Sequence, residues 1–188
     1  NKVIASSVTV ILLFLLLTSC STSIEEYRET SPTLDIKEYF TGDIIAWGMV
    51  QDHSKKVSRR FCVEIIGTWQ NNKGVLAETF YFADGEVSYR NWQMEKLPEG
   101  KYRGTAEDVV GLATGQQQGF AFQWQYNLLV PVDGDVYQLF IDDWIYKIDD
   151  KRVFNKTTMN KFGVKVADIT LFFEKLSQPA QCQSSIAG

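Results

Sequence analysis

The stretch Gly119-Phe120-Ala121-Phe122-Gln123-Trp124-Gln125-Tyr126-Asn127-Leu128-Leu129-Val130 decides how the rest of this chain is read. Phe120, Phe122, Trp124, Tyr126 and Leu128 fall on one side of an extended chain, and Gln123, Gln125 and Asn127 on the other. A period of two over this length marks a β-strand with one apolar face. Asp133-Gly134 follows, a dipeptide that readily supplies the positive-φ residues of a tight hairpin turn. The next stretch, Val136-Lys147, alternates again.

The same grammar extends in both directions. Upstream, the expected strands are Ile44-Gln51, Val57-Trp69, Val75-Ala83, Glu86-Lys96 and Tyr102-Ala106. Downstream they are Arg152-Lys161 and Lys165-Glu174. Asn71-Asn72-Lys73-Gly74, Asp84-Gly85, Pro98-Glu99-Gly100 and Asp149-Asp150 read as hairpin turns. Gly111-Leu112-Ala113-Thr114-Gly115 reads as a wide loop. No crossover long enough for a helix separates the strands, which argues against a parallel sheet. So many consecutive hairpin strands would leave exposed edges in an open sheet, and closure removes them. The expected fold is an all-β, antiparallel, up-and-down barrel of eight or nine strands, lipocalin- or calycin-like. Asp35-Ile36-Lys37-Glu38-Tyr39-Phe40 should form a short helical turn before it. A two-sheet sandwich is the alternative.

The N-terminus carries a different signal. Lys2 precedes the apolar run Val10-Leu17, which is too short to span a bilayer and sits where a secretory leader places its core. Leu17-Thr18-Ser19-Cys20 matches a bacterial lipobox. Cleavage there would leave Cys20 as a lipidated N-terminus, with acyl chains contributing about 0.8 kcal/mol per buried methylene. Ser21, rather than Asp, at the next position favours the outer membrane, with the domain facing the periplasm. An ordinary cleaved leader and a plain membrane anchor are the alternatives. The expected layout is a leader at 1–19, a lipidated tether at 20–34, the barrel at 35–176 and a flexible tail at 177–188.

The chain is acidic, with a net charge of −4 and no basic cluster. That argues against nucleic acid and against electrostatic docking on anionic lipid. Cys62, in a predicted strand, and Cys182, in the tail, either pair in an oxidising compartment or remain free thiols.

Alternation assigns the faces. Leu139, Ile141, Asp143 and Ile145 oppose Phe140, Asp142, Trp144 and Tyr146. Both faces are bulky, which predicts an outer patch covered by something such as the N-terminal segment. Several apolar faces also carry a polar group. Glu78 lies with Leu76, Phe80 and Phe82, and Arg90 with Trp92 and Met94. Asp143 lies between Ile141 and Ile145, and Asn155 and Lys161 flank Thr157 and Met159. Inside a barrel, Glu78, Arg90, Asp143 and Lys161 would be buried charges that need partners. They read either as a clamp for the head of an amphipathic ligand or as a structural ion-pair network. Arg90 and Lys161 are the candidate carboxylate partners, with Trp92, Phe122, Trp124 and Trp144 as candidate walls.

No catalytic constellation stands out. His53, the single histidine, lies in a turn, and there is no His/Cys cluster for a metal. Asp142 and Asp143 point to opposite faces and cannot act as a dyad. No cofactor motif occurs, because the Gly111-Gly115 stretch lacks the strand-to-helix context of a phosphate loop.

The pattern resembles a family of proteobacterial lipoproteins defined by domain of unknown function 3833. It does so through Arg60-Phe61, Phe82-Ala83-Asp84-Gly85, Arg90-Asn91-Trp92, Tyr102-Arg103-Gly104-Thr105-Ala106 and Asp108-Val109-Val110-Gly111. Trp124-Gln125-Tyr126, Pro131-Val132-Asp133-Gly134, Asp142-Asp143-Trp144-Ile145-Tyr146 and Met159-Asn160-Lys161-Phe162-Gly163 continue it. The resemblance spans Phe40 to Phe173 and implies a lipoprotein with a lipocalin-like domain, without transferring any active site. It also implies a gene context of cyclopropane-fatty-acid-synthase-like methyltransferases and flavin oxidoreductases, which points to fatty-acyl or membrane-lipid modification. The resulting expectation is a lipid-anchored module that binds a fatty acid or lipid. The alternatives are a filled barrel that serves as an envelope scaffold for a protein partner, and a lipid-acting enzyme using Glu78 or Asp143.

Overall fold

The computed structural model describes residues 21–179 and 181–182. Its strands are β1 (Gly42–Asp52), β2 (Val57–Gln70), β3 (Lys73–Phe82), β4 (Val87–Lys96) and β5 (Lys101–Thr105). They continue with β6 (Val109–Gln118), β7 (Ala121–Val132), β8 (Asp135–Lys147), β9 (Arg152–Lys161) and β10 (Val164–Lys175). Each strand pairs antiparallel with the next, and β10 returns to pair with β1, closing the barrel.

The barrel has ten strands rather than eight or nine. The added strand is β6, which covers the stretch expected to be a loop. Its inward positions carry Ala113 and Gly115 instead of large apolar groups, so it lacks the usual alternation. The small residues answer a packing demand, because a Cβ on Gly115 would overlap the Gln123 carbonyl and the Trp124 ring. A register break between Val110 and Thr114 obscures the period further.

One end of the barrel is closed by the chain that precedes β1. A single helical turn, α1 (Ile36–Tyr39), is capped by Asp35, whose side chain accepts from the Glu38 amide. Leu34, Ile36, Tyr39 and Phe40 are buried and join the barrel core. The plug is bolted to the rim by polar contacts. Trp69 Nε1 donates to the Phe40 carbonyl at 3.0 Å, Tyr39 Oη to the Lys151 carbonyl at 2.9 Å, and Lys96 Nζ meets Asp35 at 2.6 Å. Gly67 permits this seat, since any Cβ there would overlap the Phe40 carbonyl oxygen.

Among the described residues, the segments flanking the barrel are held more tightly than their polar composition implied. Residues 24–34 are not a free tether. Ile24–Tyr27 form a 3-10 turn that begins in a capping box at Ser23 and Glu26, Ile24 is buried, and the Leu34 amide donates to the Gly119 carbonyl at 2.8 Å. The expected cover over the outer patch is real, because the Tyr27 ring sits against Phe120, Trp144 and Tyr146. Near the other terminus, Cys182 is buried and disulfide-bonded to Cys62 on the outer face of β2, with Cα atoms 5.7 Å apart. It packs with Ile45, and Trp47, Tyr81 and Leu176 border the cluster.

Two outcomes follow. Gly67→Ala should unseat the plug and lower stability by about 1–3 kcal/mol through overpacking, read as a lowered urea midpoint. Reduction of the Cys62–Cys182 bond, which spans 120 residues, should lower stability by about 2–4 kcal/mol in the same assay.

Candidate functional site

The end opposite the plug is a mouth, ringed by the β1–β2, β3–β4, β5–β6, β7–β8 and β9–β10 turns. Burial of the inward side chains changes along the barrel. Near the plug, Leu76, Trp92, Tyr102, Phe122, Trp124 and Ile145 are almost fully buried. Towards the mouth, Val50, Phe80, Phe82, Val130, Tyr137 and Lys161 are only half-buried. The interior is therefore densely packed at its base and more exposed at its rim, although Phe61, Leu128, Leu139 and Met159 in the mouth half are also buried.

The charged groups lie between these zones. Glu78 and Arg90 are direct cross-strand partners on β3 and β4, facing inward. Arg90 is held from the mouth side by Asp108, in the turn between β5 and β6. Its Nε and Nη2 donate to the Asp108 carboxylate at 2.7–3.1 Å. The remaining nitrogen, Nη1, faces Glu78 at 3.9 Å, beyond hydrogen-bond reach. The Arg90 guanidinium also lies 5.3 Å from the centre of the Phe80 ring. Across the barrel, Asp143 on β8 accepts from Thr157 Oγ1 at 2.7 Å and from the Asn155 amide, both on β9. Tyr126, buried on β7, is coupled electrostatically to Asp143, Arg90, Glu78 and Asp108.

Three carboxylates share this space with one guanidinium, and the proton affinities of Glu78 and Asp143 respond. Burial pushes Glu78 up to about 7, against the partial relief given by Arg90. Burial likewise pushes Asp143 up to about 6, although Asn155 and Thr157 stabilise its ionised form. Burial opposes the charge on Arg90. The hydrogen bonds that Arg90 donates to Asp108, with the nearby anionic groups, outweigh it and keep Arg90 firmly cationic. Burial raises Tyr126 well above the ordinary phenol range.

Of the residues singled out from sequence, Glu78, Arg90 and Asp143 face one interior space. Trp92 and Trp124 form its base in edge-to-face contact at 5.5 Å, with Phe122 stacked on Trp124 at 5.7 Å. Lys161 stands apart at the rim, its ammonium 3.9 Å from the centre of the Tyr137 ring. Trp144 corrects the expected set. Strand alternation places it outside with Asp142, to which its Nε1 donates at 3.1 Å, and it cannot line the interior. Sequence reasoning missed Asp108 and Tyr126. Asp108 sat beside a presumed loop, and Tyr126 looked like ordinary packing on an apolar face. Cys20 lies outside the described residues.

The outer wall carries a separate groove of about 560 Å³, lined by Val75, Gln93, Glu95, Arg103, Thr105 and Leu112 among others. It runs across β2–β6, with Thr68, Trp69 and Gln70 of β2 also bordering it, and is not lined by Glu78, Arg90 or Asp143. No group of metal-binding side chains occurs among the described residues.

A solved structure shares this architecture. A protein of unknown function from the DUF3598 family of Nostoc punctiforme PCC 73102 aligns with a TM-score of 0.55 at 11% identity, over 78% of this chain and 51% of that one. The present chain thus spans about half the length of that structure, and at this identity the likeness concerns fold alone. Apocrustacyanin C2 aligns at 16% identity over 86% of this chain and 73% of that chain, with a TM-score of 0.35. No curated protein matches the sequence. The family model described as "Protein of unknown function (DUF3833)" matches residues 14–175, and the chain belongs to that family.

Proposed function

We propose that this chain is an outer-membrane lipoprotein, anchored through a lipid on Cys20, whose barrel binds a small amphipathic ligand of the fatty-acid or lipid class. One observation carries the reading. On the floor of a half-open interior, Arg90 is fixed by Asp108 on one side and presents Nη1 towards Glu78 across 3.9 Å without closing a hydrogen bond. A structural ion pair gains most when it closes, whereas this one keeps a cationic donor available beside a carboxyl that is readily protonated. A ligand carboxylate entering from the mouth would accept from Nη1 and from the protonated Glu78. Its chain would lie along Phe80, Phe82, Val130 and Tyr137.

The dense base of Trp92, Phe122 and Trp124 supports a second reading, a filled barrel that serves as a scaffold for a protein partner. Native mass spectrometry with oleate separates the two. Stoichiometric uptake supports the binding module, and a protein that takes up no fatty acid favours the scaffold.

Arg90→Ala should weaken oleate binding about tenfold or more, in line with loss of a charged hydrogen bond. Oleyl alcohol, which lacks the carboxylate, should bind both proteins alike. Oleate affinity of the unaltered protein should fall as pH rises through about 7, where Glu78 ionises. Glu78→Gln should bind without that dependence. Equal affinities across these comparisons would remove Arg90 and Glu78 from the site.

Stability should follow the same titrations. Glu78 and Asp143 hold their protons more tightly folded than unfolded. Their contribution is therefore complete below the ordinary carboxylate range and lost as pH rises through about 6 and about 7. The urea midpoint should fall between pH 5 and pH 8, and Glu78→Gln should flatten that slope. A slope unchanged in the variant would show that Glu78 is not the titrating group.

A further inference from the structure

The outer wall carries an ordered aromatic row. Trp47 on β1 lies opposite Phe172 on β10, Phe172 opposite Phe154 on β9, and Phe154 opposite Tyr146 on β8. Ring centres are 6.2 Å apart for Trp47 and Phe172, and 5.2 Å apart for Phe172 and Phe154. With neighbouring strands about 4.8 Å apart, the row runs roughly 15 Å around the barrel. It starts beside the plugged end at Tyr146 and reaches mid-barrel at Trp47.

Each end of the row is covered by a chain terminus. The Tyr27 ring sits against Tyr146, and the disulfide-bound Cys182 segment packs beside Trp47. The middle is open, with Phe154 44% exposed and Ile148 nearby 51% exposed.

The chain outside the described residues says what meets this face. Ile24 is buried against the barrel, so only Ser21, Ser23 and the threonine between them separate Cys20 from a fixed point. Four residue steps reach at most about 14 Å. A lipid on Cys20 inserted in the bilayer would therefore hold the Tyr27–Tyr146 end of the row close to the headgroups. Trp, Tyr and Phe are side chains suited to that depth, with apolar bodies and, in Trp and Tyr, polar tips. The chain's negative charge makes such a contact apolar rather than electrostatic.

We infer that the open middle of the row, Phe172 and Phe154 with Ile148 beside them, docks on the surface of the membrane leaflet that holds the Cys20 anchor. The inference rests on the anchoring part of the proposed function and is independent of the ligand in the barrel.

The test uses the full lipidated protein in phosphatidylethanolamine/phosphatidylglycerol vesicles, with an environment-sensitive dye on Lys156→Cys. Lys156 is exposed on the row's outer face, two residues from Phe154. A second variant, Tyr89→Cys on β4, places the dye on the distant wall. Vesicle flotation and the intact mass report on anchoring separately. The expected result is quenching by spin-labelled lipid at position 156 several-fold stronger than at 89, little changed by salt. A floating, acylated protein with equal quenching at both positions overturns docking while leaving the anchor in place. A protein that carries no acyl mass and does not float overturns both. A shift of the position-156 emission that depends on protein concentration without vesicles assigns the row to a second copy and also overturns the inference.

Discussion

The pairing of β1 with β10 is the constraint on which the structure depends. A ten-stranded meander has two edges, and nine paired positions from Ile44 to Asp52 remove both at once. Closure also fixes which face of every strand is interior, because a slip of one residue would turn each strand inside out. Ten strands enclose a wider lumen than eight, more than the side chains of a narrow barrel can fill. The chain resolves this in two ways. It packs large aromatics over small neighbours at the base, as Trp124 over Gly115, and it folds the segment before β1 into one end as a plug.

The same closure forces Glu78, Arg90 and Asp143 into a shared interior. Leaving them unpaired there would be strongly unfavourable, and the fold compensates unevenly. Arg90 receives a two-point grip from Asp108, and Asp143 receives two donors from β9. Glu78 keeps only a distant cation. Its carboxyl therefore yields to burial, and its protonation becomes the adjustable element of the interior. An arrangement serving stability alone would bring Glu78 and Arg90 into full contact.

Much of this was legible from the residues. Period-two alternation and Asp-Gly turns predicted nine of the strands and put Glu78, Arg90 and Asp143 on inner faces. What escaped has physical reasons. The β6 strand has small inward residues because its neighbours are large, a demand visible only in three dimensions. The pairing of Arg90 with Asp108 depends on that strand. Trp144 sits on a strand that is bulky on both faces, where composition cannot distinguish a lumen from a covered exterior. Polar composition made the segment before α1 look like a tether, yet Ile24, Tyr27 and Leu34 are spaced to meet the barrel. Cys182 is stapled through a contact with no local sequence signature.

The plug and the mouth occupy opposite ends of one rigid wall, and the N-terminal segment leaves from the plugged end. A vessel held by its base fills from above. Under the proposed anchoring by a lipid on Cys20, the mouth would turn towards the aqueous gap instead of the leaflet below it. A hydrophobic cargo could not slide in sideways from that leaflet and would have to be handed over by a donor across the gap. Under that proposal the short leash would also limit the barrel to pivoting in place. It would serve as a fixed receiving station, not a shuttle between membranes.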